Sequence, residues 1–105
     1  MEALPFFLAR SSRVLLQQAG LPRPLEEYVA ANLHFTTTGM FTHPPLTCLL
    51  DVVGADRVMF SVDYPYSSNE EGRDFILSAP ISETDREKLA FGNAQRLLGL
   101  DLSSR

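Results

Sequence analysis

A chain of 105 residues allows one domain and leaves no room for a second. Apolar residues make up 45% and charged residues 21%, the balance of a globular chain rather than a disordered one. With 13 acidic against 9 basic side chains the net charge is -4, and the basic residues are scattered, so the stripe that a nucleic-acid binder needs to displace counterions is absent.

No apolar run approaches the roughly 18 residues that would span a bilayer, and Met1-Glu2-Ala3-Leu4-Pro5 lacks the basic start of a signal peptide. The single cysteine, Cys48, has no partner for an internal disulfide. These features lead us to expect a soluble, cytoplasmic protein with neither a nucleic-acid nor a membrane partner.

Prolines and glycines punctuate the chain. The segment from about Phe6 to Gln18 carries Phe7, Leu8, Val14 and Leu15 at helical spacing and is stopped by Gly20, with Pro22 and Pro24 beyond it. A short helix is expected from Leu25 to Asn32, with Glu26 and Glu27 in the first turn, where the helix dipole favours them. Leu33 to Thr38 is β-branched and aromatic and reads as a strand closed by Gly39. Pro44 and Pro45 open a helix whose apolar face is Leu46, Leu49, Leu50 and Val53, and Gly54 closes it. Arg57 to Asp63 reads as the strongest strand, cut off by Pro65. A polar loop from Tyr66 to Gly72 leads to a short helix ending before Pro80. Ser82 with Asp85 resembles a capping box for a helix to Phe91; Gly92 should end it, and Asn93 should cap a last short helix through Leu98.

Two strands separated by a helix should be parallel, and parallel sheets are normally covered on both faces and have several strands. Two apolar strands are too small a sheet for six helices to cover. The pattern therefore implies part of a larger α/β sheet or barrel.

Alternation along the second strand places Val58, Phe60 and Val62 on one face and Met59, Ser61 and Asp63 on the other. In a parallel barrel Asp63 would be the last inward-facing residue, at the C-terminal mouth where active sites are built. A carboxylate there can bind a metal or move a proton. It can equally cap the turn before Tyr64-Pro65. His34 and His43 form no zinc motif. Cys48, among leucines, reads as a small core residue. Arg10 and Arg13 on the first helix are either ordinary solvated charges or, in the case of one of them, a fork for an acidic substrate. Tyr64 and Tyr66 either line a pocket or are ordinary loop residues.

Phe35-Thr36-Thr37-Thr38-Gly39-Met40-Phe41 and Asp56-Arg57-Val58-Met59-Phe60-Ser61-Val62-Asp63-Tyr64-Pro65 together resemble the amidohydrolase-related family, in the branch of aminocarboxymuconate-semialdehyde and hydroxybenzoate decarboxylases. Pro80 to Arg86, Gly92 to Leu98 and the opening Leu4-Pro5-Phe6-Phe7 with Arg10 are similar to the same family. The resemblance implies that residues 1–105 are the C-terminal part of a metal-dependent (β/α)8 TIM-type barrel, an α/β fold, here with two parallel strands and surrounding helices. It implies Asp63 as a metal ligand that also takes part in proton transfer, Arg10 as a grip on a substrate carboxylate, and Tyr66 as a pocket residue. The implied cofactor is a divalent metal, zinc first and manganese second. The implied partners are a small carboxylic acid and further copies of the chain, in a homo-oligomer. The activity expected is non-oxidative decarboxylation of an aromatic or unsaturated acid. The alternatives are a hydrolase of the same family and a non-catalytic remnant or barrel-completing module. The family's paired metal-binding histidines and middle-strand histidine are missing, and Phe91 stands where members often carry histidine.

Overall fold

The structure, a computed structural model, describes residues 1–101, so the last four residues of the expected 1–105 unit lie outside the described residues. Helix α1 spans Leu4–Ala19, opened by Pro5 in its first turn and closed by Gly20 in the left-handed conformation. Helix α2, Leu25–Asn32, has the expected bounds. Helix α3, His43–Val53, buries Leu46 and Leu49 completely, with Leu50 and Val53 packed beside them, as the i, i+3, i+4, i+7 spacing requires. Helix α1 packs against both α2 and α3.

The two expected strands are present and parallel but short. Strand β1 is Phe35–Thr36 and strand β2 is Val58–Met59, paired Phe35 to Val58 and Thr36 to Met59. The chain stays hydrogen-bonded beyond β2, but to other partners. Phe60 N donates to Leu89 O at 2.8 Å, and Ser61 N donates to the Thr37 hydroxyl at 3.0 Å. The expected strands of six and seven residues therefore shrink because a ladder needs a neighbour at each step, and two strands offer it only briefly.

Helix α4, Asn69–Ser78, begins earlier than the polar loop suggested, because Ser68 accepts from the backbone N–H groups of Glu70 and Glu71. This puts Gly72 inside a helix, buried against β2's extension. A Cβ there would lie 2.7 Å from Val62 Cγ2 and 3.3 Å from the rings of Phe41 and Phe60. Gly72→Ala is accordingly expected to cost about 1–3 kcal/mol through overpacking, despite the better helix propensity of alanine. A thermal melt checks this: a higher Tm in the variant would mean that α4 does not press on the strand.

The C-terminal region departs most from expectation. Ser82 caps α5, Glu83–Glu87, by accepting from Asp85 N at 3.1 Å. Gly92 does not end the helix, and Asn93 caps nothing. Both have helical backbone, and α5 runs through a π-turn, Lys88–Gly92, directly into α6, Asn93–Leu98. In the π-turn Asn93 N bonds Lys88 O, one residue further back than in an α-helix. Leu89 O is the carbonyl that Phe60 N uses. The widened turn is thus how the helix docks on β2. Asn93 is buried and its amide donates to Ala55 O at 2.6 Å and Val58 O at 2.8 Å, which ties α6 to the start of β2.

Candidate functional site at the strand ends

Beyond β2 the chain reaches Asp63 in left-handed backbone, φ 73°. Asp tolerates this region better than most residues, and such positions cluster at functional sites. The turn that follows is closed by Asp63's backbone, not by its side chain: Asp63 O accepts from Tyr66 N at 2.8 Å and Ser67 N at 3.1 Å. The Asp63 carboxylate is exposed and has no hydrogen-bond partner among the described residues. The structural alternative, that the side chain caps its own turn, therefore finds no support in the hydrogen bonds.

Asp63 and Tyr66 are brought together by this turn, and the Tyr66 side chain is 88% exposed. Arg10 lies on another element, α1, where it is exposed and unpaired among the described residues. No hydrogen bond or ion pair joins Arg10 to the other two.

Sequence reasoning missed a hydroxyl cluster at the same strand ends. Thr37 Oγ1 donates to Ser61 O at 2.9 Å and accepts from Ser61 N, which staples the two chain segments together just past the ladder. Thr38 and Ser61 share a short hydroxyl contact, and Thr36 bonds Thr38 at 3.0 Å. The run of three threonines was the available signal.

His43 is held by packing: its ring lies 5.9 Å from that of Phe75 and its Nε2 is 3.2 Å from Ser78 Oγ. Cys48 is half-buried beside an apolar groove of about 540 Å³, which Phe6, Phe7, Met40 and Pro44 also line. Among the described residues, no three His, Cys, Asp or Glu side chains stand where they could hold a metal ion. Asp63 alone does not fit a divalent cation, which takes about four to eight ligands.

At the opposite ends of the strands Lys88 Nζ sits 2.8 Å from Asp56 Oδ1. Lys88 lowers Asp56's pKa from the usual carboxylate value, first by hydrogen bonding and then by charge, and Asp56 raises that of Lys88 in the same way.

Two parallel strands with a free carboxylate just past their C-terminal ends and helices around them are the arrangement expected of a piece of a TIM-type barrel, and the structural neighbours and the family match show that it is one. The amidohydrolase family model matches residues 7–100, and the chain belongs to that family, in its aromatic-acid decarboxylase branch. It is 36% identical over 104 residues to decarboxylase orsB of Emericella nidulans, covering 92% of this chain and 31% of that protein. It superposes on 5-carboxyvanillate decarboxylase LigW from Sphingomonas paucimobilis with a TM-score of 0.85 and 33% identity, over 95% of this chain and 32% of the other. A dihydroxybenzoic acid decarboxylase from Polaromonas, with bound manganese and the inhibitor 2-nitroresorcinol, gives a TM-score of 0.80 and 32% identity, over 91% of this chain and 30% of the other. The chain spans about a third of the length of these relatives.

Proposed function

We propose that residues 1–105 supply the C-terminal part of a non-oxidative decarboxylase acting on an aromatic carboxylic acid. The observation that carries this reading is the free Asp63 carboxylate beyond β2, in a chain whose relatives are decarboxylases. In the proposed reaction Arg10 holds the substrate carboxylate through its guanidinium fork, and the Tyr66 ring lines the pocket. Asp63, after taking up a proton from solvent, delivers it to the ring carbon that bears the carboxylate and is left as the carboxylate. The carbon–carbon bond then breaks, its electron pair returns to the ring, and CO₂ leaves.

The assembled site also takes a divalent cation, whose further ligands come from outside the described residues. Manganese is favoured over zinc by the metal in the similar Polaromonas enzyme. In 2-nitroresorcinol the nitro group sits between two hydroxyls, so the matching acid is 2,6-dihydroxybenzoate. The test is CO₂ release from that acid by the assembled, manganese-loaded protein. Arg10→Gln is expected to raise KM by roughly 10- to 100-fold, the worth of a charge-assisted hydrogen bond, with a smaller change in kcat. An unchanged KM removes Arg10 from the site, and failure to release CO₂ from any aromatic acid overturns the reading.

A second reading, a barrel-completing module without catalysis of its own, is favoured by one observation. With only two strands among the described residues, each of β1 and β2 keeps an unpaired edge, the usual route to strand pairing with another chain. The same edges support a homo-oligomer. Light scattering that finds only monomer at every concentration would count against both.

A further inference from the structure

The N-terminal ends of β1 and β2, away from Asp63, carry a feature that the proposed reaction does not use. His34 immediately precedes β1 and Arg57 immediately precedes β2. With Asp56 and Arg96 they line a cleft of about 380 Å³.

Each arginine in this cleft is anchored by uncharged acceptors. Arg57 Nη1 donates to Leu33 O at 3.3 Å, and Arg96 Nη2 donates to Asp56 O at 2.7 Å and to Asn93 Oδ1 at 3.1 Å. Carbonyl oxygens orient a guanidinium without neutralising it. The Nε and the second Nη of each fork keep their N–H groups unpaired among the described residues. Among the described lining residues the one carboxylate is Asp56, which is paired with Lys88 and also attracts Arg96. His34 is exposed and has no hydrogen-bond partner among the described residues. Arg57, Arg96 and Lys88 against Asp56 and, beside Lys88, Asp85 leave an excess of one positive charge at this cleft, on a chain whose formal charge is -4.

We propose that this cleft is a binding site for a phosphate-class oxyanion, either free phosphate or the phosphoryl group of a small phosphomonoester. Planar forks fixed in advance lose little freedom on binding, and their paired N–H groups match the oxygens of a phosphoryl group. The positive excess favours an anion, and the forked donors favour one with several oxygens. This inference is independent of the decarboxylase reading, because it involves neither Asp63 nor Arg10.

The test is a titration of the full ¹⁵N-labelled chain with inorganic phosphate, at ionic strength held constant with sodium chloride. Saturable shifts confined to His34, Asp56, Arg57 and Arg96 are expected. Arg57→Gln should weaken binding at least about fivefold, as loss of a charge-assisted contact does. His34→Gln, which removes no contact of the fold, should weaken it less while leaving the melt unchanged. A parallel titration with phenyl phosphate separates the sources: tighter binding supports a phosphomonoester, weaker binding supports free phosphate. Shifts that do not saturate, that chloride reproduces, or that persist at full strength in both variants overturn the proposal.

Discussion

Asp63→Asn is expected to lower decarboxylation by the assembled protein about 1,000-fold while leaving the fold intact, and the separation of those two effects is what makes the substitution informative. A general acid contributes roughly 100- to 10,000-fold, and an amide can neither carry the proton nor match the charge of a carboxylate. The structural cost should be small for two reasons. Asparagine tolerates left-handed backbone as well as aspartate does, so φ 73° adds no new strain. The turn is closed by the backbone carbonyl of residue 63, which the substitution keeps. Stability should therefore stay within about 0.5 kcal/mol, as for a surface change away from any contact. Asp63→Ala is a poorer choice, because alanine is strained at that φ and would mix a folding defect into the rate. Turnover measured beside a thermal melt decides the matter. Equal activity in Asp63→Asn would remove Asp63 from the chemistry and favour the barrel-completing reading.

The helices were legible because their signals are local. Four apolar residues at the right spacing define the buried face of α3, and Gly20 and Gly54 follow the last residues of α1 and α3. The parallel relation of the strands was legible for a topological reason, since a helix intervenes between them. Their length was not, because it depends on which distant groups offer hydrogen bonds, and Phe60 finds Leu89 rather than a strand. Gly92 misled for a related reason. Glycine followed by asparagine is a common helix stop, but here the π-turn lets the helix continue and turns Asn93 inward. Of the candidate site, Asp63 was reached from strand alternation, whereas the Thr37–Ser61 staple depends on a register that alternation alone does not set. Residue chemistry offered Arg10 and Tyr66 only as open alternatives to solvated surface residues, and the family resemblance, not spacing, singled them out.

The fold itself depends on Asn93, and Asn93→Leu is expected to cost about 3 kcal/mol. The amide nitrogen supplies hydrogen bonds to two carbonyls, Ala55 O and Val58 O, and its oxygen receives a third from Arg96. A leucine of similar bulk largely fills the space but donates nothing, so each carbonyl loses its donor at about 1–3 kcal/mol. For a domain of this size that amounts to a fall in Tm of roughly 12–24 °C. Asn93→Asp should be at least as damaging, because its carboxylate would face two carbonyl oxygens. A specific local signature should accompany the loss. The amide of Phe60, bonded to Leu89 O in the adjoining π-turn, should exchange with solvent faster than in the parent, because loosening α6 from β2 loosens the helix that holds it. A drop of less than about 1 kcal/mol, with Phe60 exchange unchanged, would mean that water replaces the amide at both carbonyls. The register of β2, and with it the placement of Asp63, would then have to be fixed by the pairing of Phe35 with Val58 and by the Thr37–Ser61 staple alone.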